Sequence, residues 1–191
     1  MDREKIEAGV KLILDGIGEN PNREGLYDTP ERVARMYEEV FCSTGKSNQQ
    51  IANELGKLFV KPEVKRLSEL SSRSKVGGMV IVRDIPAFSY CEHHMALIYD
   101  MKVTVAYKPR GFVVGLSKIP RVVDAVCKRL QIQERIGTDV FDVLRRILGH
   151  EDIWVGIEAK HSCVASRGAK KDALTRTVCG GGCFIDTQWI D

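Results

Sequence analysis

The chain has 191 residues, 43% hydrophobic and 29% charged, which suits one folded domain, or one with an appended segment, and excludes global disorder. A net charge of +3 is too small to imply a polyanion such as DNA and excludes a strongly basic nucleic-acid binder, and no apolar run approaches the ~20 residues of a membrane helix. The polar opening Met1-Asp2-Arg3-Glu4-Lys5 predicts a cytoplasmic protein, in which six cysteines read as thiols or metal ligands rather than disulfides.

In chain order, the first sixty residues read as helices. Ile6, Val10, Ile13, Leu14 and Ile17 share one face at helical spacing. Asn20, Pro21, Asn22 and Gly25 break that pattern. Thr29 then reads as an N-cap with Pro30 at the first helical position, and Val33, Met36, Tyr37, Val40 and Phe41 supply the stripe. A polar loop from Ser43 to Asn48 precedes a weaker helix around Ile51, Leu55 and Leu58. The charged, serine-rich stretch 63–78 reads as a linker or loop, which divides the chain into a helical arm (1–62), a linker and a domain over 79–191.

From Met79 the period changes. Met79 to Ile85 suits a strand, and Met101, Val103, Val105 and Tyr107 alternate as a half-buried one. Phe112 to Gly115 continues it after the Pro109-Arg110-Gly111 turn. Ser117 reads as the cap of a helix carrying Ile119, Val122, Val123, Val126 and Leu130. A second helix follows, with Ile136, Val140, Val143, Leu144 and Ile147 on one face and Gly149 as its stop. Ile153, Val155, Ile157 and Ala159 form another strand, with a last one between Ala173 and Ile185. An open sheet of this kind has exposed edges, and closing them between subunits predicts a homo-oligomer.

The densest reactive cluster is Cys91-Glu92-His93-His94. Cys91 and His94, three apart, can reach one Zn2+, but a site needs a third protein ligand. His161 and Cys163, on one face if their strand stays regular, are candidates, and Cys179 and Cys183 around the triple glycine compete with them. A Cys/His/Cys set leaves a fourth position for water, as in a catalytic zinc. A closed four-ligand site using Cys179 or Cys183 would instead make a structural zinc module. Ser117, Lys118 and Arg121 begin a helix, where free N–H groups favour an anion, and Arg167, Lys170 and Lys171 follow the second cluster. Gln133 and Glu134 can bond a heterocycle edge, or simply open the next helix.

Four motifs in this order resemble the GTP cyclohydrolase I family: Cys91-Glu92-His93-His94; Val113-Val114-Gly115-Leu116-Ser117-Lys118 with Arg121; Gln131-x-Gln133-Glu134; and His161-x-Cys163-x-x-x-Arg167-Gly168. The arm adds Thr29-Pro30-Glu31-Arg32, and Val82-Arg83-Asp84-Ile85 follows it. The resemblance implies an α+β tunnelling fold of antiparallel strand pairs and two helices behind the helical arm, assembled as a homodecameric barrel with sites at subunit interfaces. It implies conversion of GTP and water into 7,8-dihydroneopterin triphosphate and formate, toward folate or tetrahydrobiopterin. Cys91, His94 and Cys163 would hold Zn2+. His93 would act as general acid with His161 assisting, and Ser117 would lie at the ribose. Glu134 and Gln133 would bind the guanine edge, Leu116 would flank the substrate, and Lys118, Arg121, Arg167 and Arg32 would bind the triphosphate. Met95-Ala96-Leu97, Cys163-Val164-Ala165-Ser166 and the pair Cys179/Cys183 depart from the family pattern, and the pair reads as a redox sensor. The nitrile reductase of queuosine biosynthesis shares the fold but lacks the zinc triad and the double histidine.

Overall fold

The computed structural model describes residues 1–60 and 78–190, so the expected linker lies, apart from Gly78, outside the described residues. Two compact units result, Met1–Thr44 and Gly45–Asp191. In the first, α1 (Arg3–Gly16) and α2 (Thr29–Val40) pack on each other, and Arg3 pairs with Glu38 across them. Asp2 caps α1 by accepting from the Lys5 amide at 3.1 Å. Thr29 is not the cap of α2: it is the first helical residue, Asp28 holds the cap position without a capping bond, and Pro30 follows within the first turn.

The second unit opens with α3 (Asn48–Leu55), started by a reciprocal Ser47–Gln50 capping box. Leu58, expected on this helix, instead begins β1 (Leu58–Val60), because Gly56 ends the helix one turn earlier. β2 (Val80–Cys91) runs six residues beyond its expected end, through Pro86 and two register shifts. It pairs antiparallel with β3 (Ala96–Tyr107). β4 (Phe112–Val114) does not continue β3; it pairs with β1, and the Val114 amide donates to the Tyr107 hydroxyl at 3.0 Å.

α4 (Lys118–Cys127) leads through a two-residue strand, β5 (Leu130–Gln131), into α5 (Gln133–Leu148), which ends at Gly149 with φ +75°. Only glycine adopts that left-handed stop without a Cβ penalty. Ser117 sits at the N-cap position of α4 but makes no side-chain capping bond. β6 (Ile153–His161) is followed by the single turn α6 (Ser162–Ala165), then β7 (Thr175–Gly180) and a 3-10 turn at Gly182–Phe184. The five-stranded sheet has the order β5-β2-β3-β6-β7, antiparallel except for β5 beside β2.

α4 and α5 cover one sheet face. Ile119, Val122, Val123 and Val126 of α4, with Ile136, Val140, Val143 and Leu144 of α5, meet Val103, Val105, Val155 and Ile157, all fully buried. Each such side chain contributes about 1.5–3 kcal/mol on burial, so this layer dominates the stability. Trp154, Ala106 and Phe184 form a smaller cluster on the alternate strand positions. Among the described residues, no helix is long and apolar enough to cross a membrane.

A polar clasp fastens α3 to α5. Asn48 Nδ2 donates to Asp139 at 3.0 Å and to Asp142 at 3.2 Å, while Arg146 reaches Gln49 at 2.6 Å. Burial opposes ionisation of Asp142, but bonds from Arg145, Arg146 and Asn48 outweigh it and draw its pKa from 3.8 down to about 2. A carboxyl depressed on folding stabilises the protein above its unfolded pKa and loses that contribution as pH falls through the folded one. Asp142→Asn should therefore lower the thermal midpoint at neutral pH, with the gap to wild type closing between about pH 4 and pH 2. A constant gap across that range would mean that the clasp is not electrostatic.

Candidate metal centre and its surroundings

The metal-binding candidates lie where two chain segments turn at the same end of the sheet. β2 ends at Cys91, four residues form a turn, and β3 begins at Ala96, paired with Cys91. Met95 closes that turn with φ +50°, a conformation bulky side chains seldom adopt, so the unusual residue occupies a demanding position. On the far side of β3, Ile98 pairs with His161, the last residue of β6. The strand does not stay regular beyond it. The chain bends into α6, and Ser162 secures the bend by donating to the Leu97 carbonyl at 2.8 Å. Cys163 thus reaches the cluster from a helical turn, not from the strand face shared with His161.

The ligand atoms of Cys91, His94 and Cys163 all lie within 4.8 Å of one another, with Cys91 buried, Cys163 half-buried and His94 exposed. Donors around a tetrahedral ion with bonds of 2.0–2.3 Å sit about 3.8 Å apart, so the cluster needs only side-chain adjustment to close on one. Two thiolates and an imidazole suit a borderline-soft ion and are poor ligands for magnesium or calcium. Burial, and then the neighbouring Cys91 thiol, hold the Cys163 thiol above its ordinary pKa. A bound cation would reverse this by deprotonating the sulfurs. Cys179 and Cys183 are not part of this grouping: Cys179 pairs with Val155 on β7, and Cys183 lies in the 3-10 turn.

The other expected site residues divide into two sets. His93 is exposed beside His94, their rings 6.5 Å apart and nearly perpendicular. Arg167 NH1 contacts His94 Nε2. His161 Nε2 meets Gln133 Oε1 at 2.7 Å; burial lowers the His161 pKa, and the Glu134 carboxylate opposes that shift. Glu134 is exposed at the start of α5, whereas Gln133 is buried, 1% exposed. These residues gather at the metal end. Leu116, Ser117, Lys118 and Arg121 instead surround the start of α4. The far end of that helix is the one near the metal, because Ser89 of β2 donates to the Cys127 carbonyl at 2.8 Å. Arg32 belongs to the first unit, where it pairs with Asp28 at 3.0 Å.

The sequence reading missed a brace behind the turn. The Glu92 amide donates to the Gln131 carbonyl at 3.0 Å, and the Glu92 carboxylate pairs with Arg135. Arg135 in turn donates to Gln131 Oε1 at 2.7 Å and to the Leu130 carbonyl at 3.1 Å. The Arg135 bond holds the Glu92 carboxyl below its usual pKa. The signal available was the alternation Gln131-x-Gln133, two inward side chains on either side of Ile132.

The family model for GTP cyclohydrolase I matches residues 6–189. Curated relatives agree over nearly the full length. The "GTP cyclohydrolase 1" of Clostridium beijerinckii is 46% identical over 185 residues, covering 96% of this chain and 90% of that protein. Those of Clostridium botulinum and Ruminiclostridium cellulolyticum are also 46% identical, covering 93% and 98% of this chain and 87% and 94% of theirs. With this length of match and a Cys/His/Cys cluster at the turn the motifs indicate, the chain belongs to the GTP cyclohydrolase I family.

Proposed function

We propose that this protein hydrolyses GTP at C8 of the purine, releasing formate and yielding 7,8-dihydroneopterin triphosphate, with Zn2+ held by Cys91, His94 and Cys163. The observation that carries the reading is the three-donor cluster with two further histidines adjoining it in the chain. Three protein ligands leave one position open, the mark of a catalytic rather than a structural zinc. When bound, zinc supplies Lewis-acid activation of water at neutral pH.

The chain's own residues do the rest. His93, exposed and free of the metal-ligand set, donates a proton to the imidazole-ring nitrogen whose bond to C8 must break, and His161 assists. The Glu134 carboxylate accepts from guanine N1–H and the 2-amino group. Adenine lacks that donor pair and would leave the carboxylate unmatched. Ser117 serves the ribose, and Lys118, Arg121, Arg167 and Arg32 serve the triphosphate, with Leu116 flanking it.

The separation of these groups in one chain supports a homo-oligomer with shared sites, in the family's pattern a decamer. The rise of α4, about 15 Å, stands between Lys118 and the helix end near the metal. Val114 is bonded to Tyr107, at the opposite end of β3 from the metal turn. A second copy meeting the metal end with its α4 N-terminus resolves the separation. Edge strand β7, with Val178 and the preceding Leu174 about half exposed, offers surface for such assembly.

The direct test is incubation of zinc-loaded protein with GTP, following formate and pterin absorbance. His93→Ala should keep zinc and lose about 10²–10⁴-fold in turnover. Cys91→Ala should lose both metal and turnover. Equal zinc loss in the two variants would refute the division of roles, and no product from wild type would sink the reaction. Site sharing is tested by co-expressing Cys91→Ala with Lys118→Ala chains. Each should be inactive alone, and mixed oligomers should recover activity through sites that receive an intact half from each chain. No recovery in oligomers shown to be mixed counts against sharing.

A further inference from the structure

Gln133 opens α5 with its side chain turned inward. Its amide nitrogen faces three acceptors: the Thr175 carbonyl at 3.0 Å, the Ile157 carbonyl at 3.2 Å and the Thr177 hydroxyl at 3.2 Å. Carbonyl oxygens only accept, so the amide has one sensible orientation. Flipping it would set Oε1 against two carbonyl oxygens and leave both without this donor. It is therefore Oε1 that meets His161 Nε2 at 2.7 Å. An amide oxygen has no hydrogen to give, so the proton in that bond sits on the imidazole. In the neutral ring Nε2 carries the hydrogen and Nδ1 keeps the lone pair.

We infer that Gln133 is a positioning residue that fixes the tautomer and ring orientation of His161, leaving Nδ1 as the nitrogen through which His161 exchanges protons. The part concerning proton exchange rests on the proposed reaction; the tautomer does not. Both ends of the amide are committed inside the protein, so Gln133 acts on the substrate only through His161. Three elements meet at this one side chain: α5 supplies it, β6 supplies Ile157 and His161, and β7 supplies Thr175 and Thr177. The imidazole is thereby tied to the sheet rather than to the bend that carries Cys163.

The test uses zinc-loaded protein with nitrogen-15 in its histidine rings, above the pH range in which histidine is protonated. Magic-angle-spinning NMR separates protonated from bare ring nitrogens, and a His161→Asn sample identifies the His161 lines among four histidines. Wild type should carry the His161 proton on Nε2. Gln133→Met, similar in length but without the amide oxygen, should show a mixture of tautomers. Its kcat for GTP should fall about 10²-fold, the lower end of what a placed proton donor contributes, with KM changed less than about twofold. A proton on Nδ1 in wild type overturns the inference, whether or not the Met variant folds. So does a Met variant with raised KM and unchanged kcat, the signature of a lost substrate contact. An inactive wild type would remove the proposed reaction, and the ring spectrum would then decide the tautomer by itself.

Discussion

The register of β2, β3 and β6 is the constraint on which the site depends. Cys91 and Cys163 are far apart in sequence and meet only because Cys91 pairs with Ala96 while Ile98 pairs with His161. Side chains alternate along a strand, so a one-residue slip of β6 against β3 would exchange its two faces. Val155 and Ile157 would leave the core at the same moment that α6 moved off the metal turn. Burial of those side chains against α4 and α5 thus fixes the register, and the register fixes the distance between the sulfurs. The geometry of the Cys/His/Cys cluster is a consequence of hydrophobic packing some way from it.

Packing alone does not finish the site, because a sheet that ends in a turn and a bend leaves backbone groups without strand partners. Side chains complete the pairing. Ser162 serves the Leu97 carbonyl, Ser89 the Cys127 carbonyl, Arg135 the Leu130 carbonyl and Gln133 the Ile157 and Thr175 carbonyls. A buried polar group left unpaired costs about 1–3 kcal/mol, so the buried Ser89 and Gln133 bonds hold their segments most firmly. The result is a rigid frame behind an exposed chemical face, on which His93, His94 and Glu134 stand toward solvent.

The amphipathic elements were legible in the sequence. α4 and α5 each bury one face of a long periodic segment, β3 and β6 carry the alternating residues that meet them, and the Gly149 stop follows from the same pattern. What was not legible has a common cause. β1, β4 and β5 are two or three residues long, too short to show a period, and exist through pairing with distant partners. Leu58 fell at helical spacing by coincidence, and Pro86 masked the length of β2. At the site, metal-ligand residue types and spacing stood out, and Gln131 appeared within a motif, whereas Arg135 and the bracing role of both did not. Their work is done on backbone groups that no sequence pattern marks.

The cations of the second unit differ in whether the fold pairs them. Lys46, Arg110, Arg129, Arg135, Arg145, Arg146, Lys160 and Arg176 are each paired with a carboxylate, so nearly half of the positive charge among the described residues of the second unit is paired within the fold. Among the described residues, Lys118 and Arg121 make no ion pair of this kind, although they stand at the positive end of α4 with no acid in its first turn. A cation there opposes the helix dipole by about 0.3–1 kcal/mol. Residues that break a local rule without compensation inside the fold point to a requirement outside it. An anion at the start of α4 would be attracted by both cations and by the helix dipole, and so would offset that repulsion. The modest net charge of the chain is therefore no measure of its local attraction for an anion, because unpaired cations can be concentrated in one place.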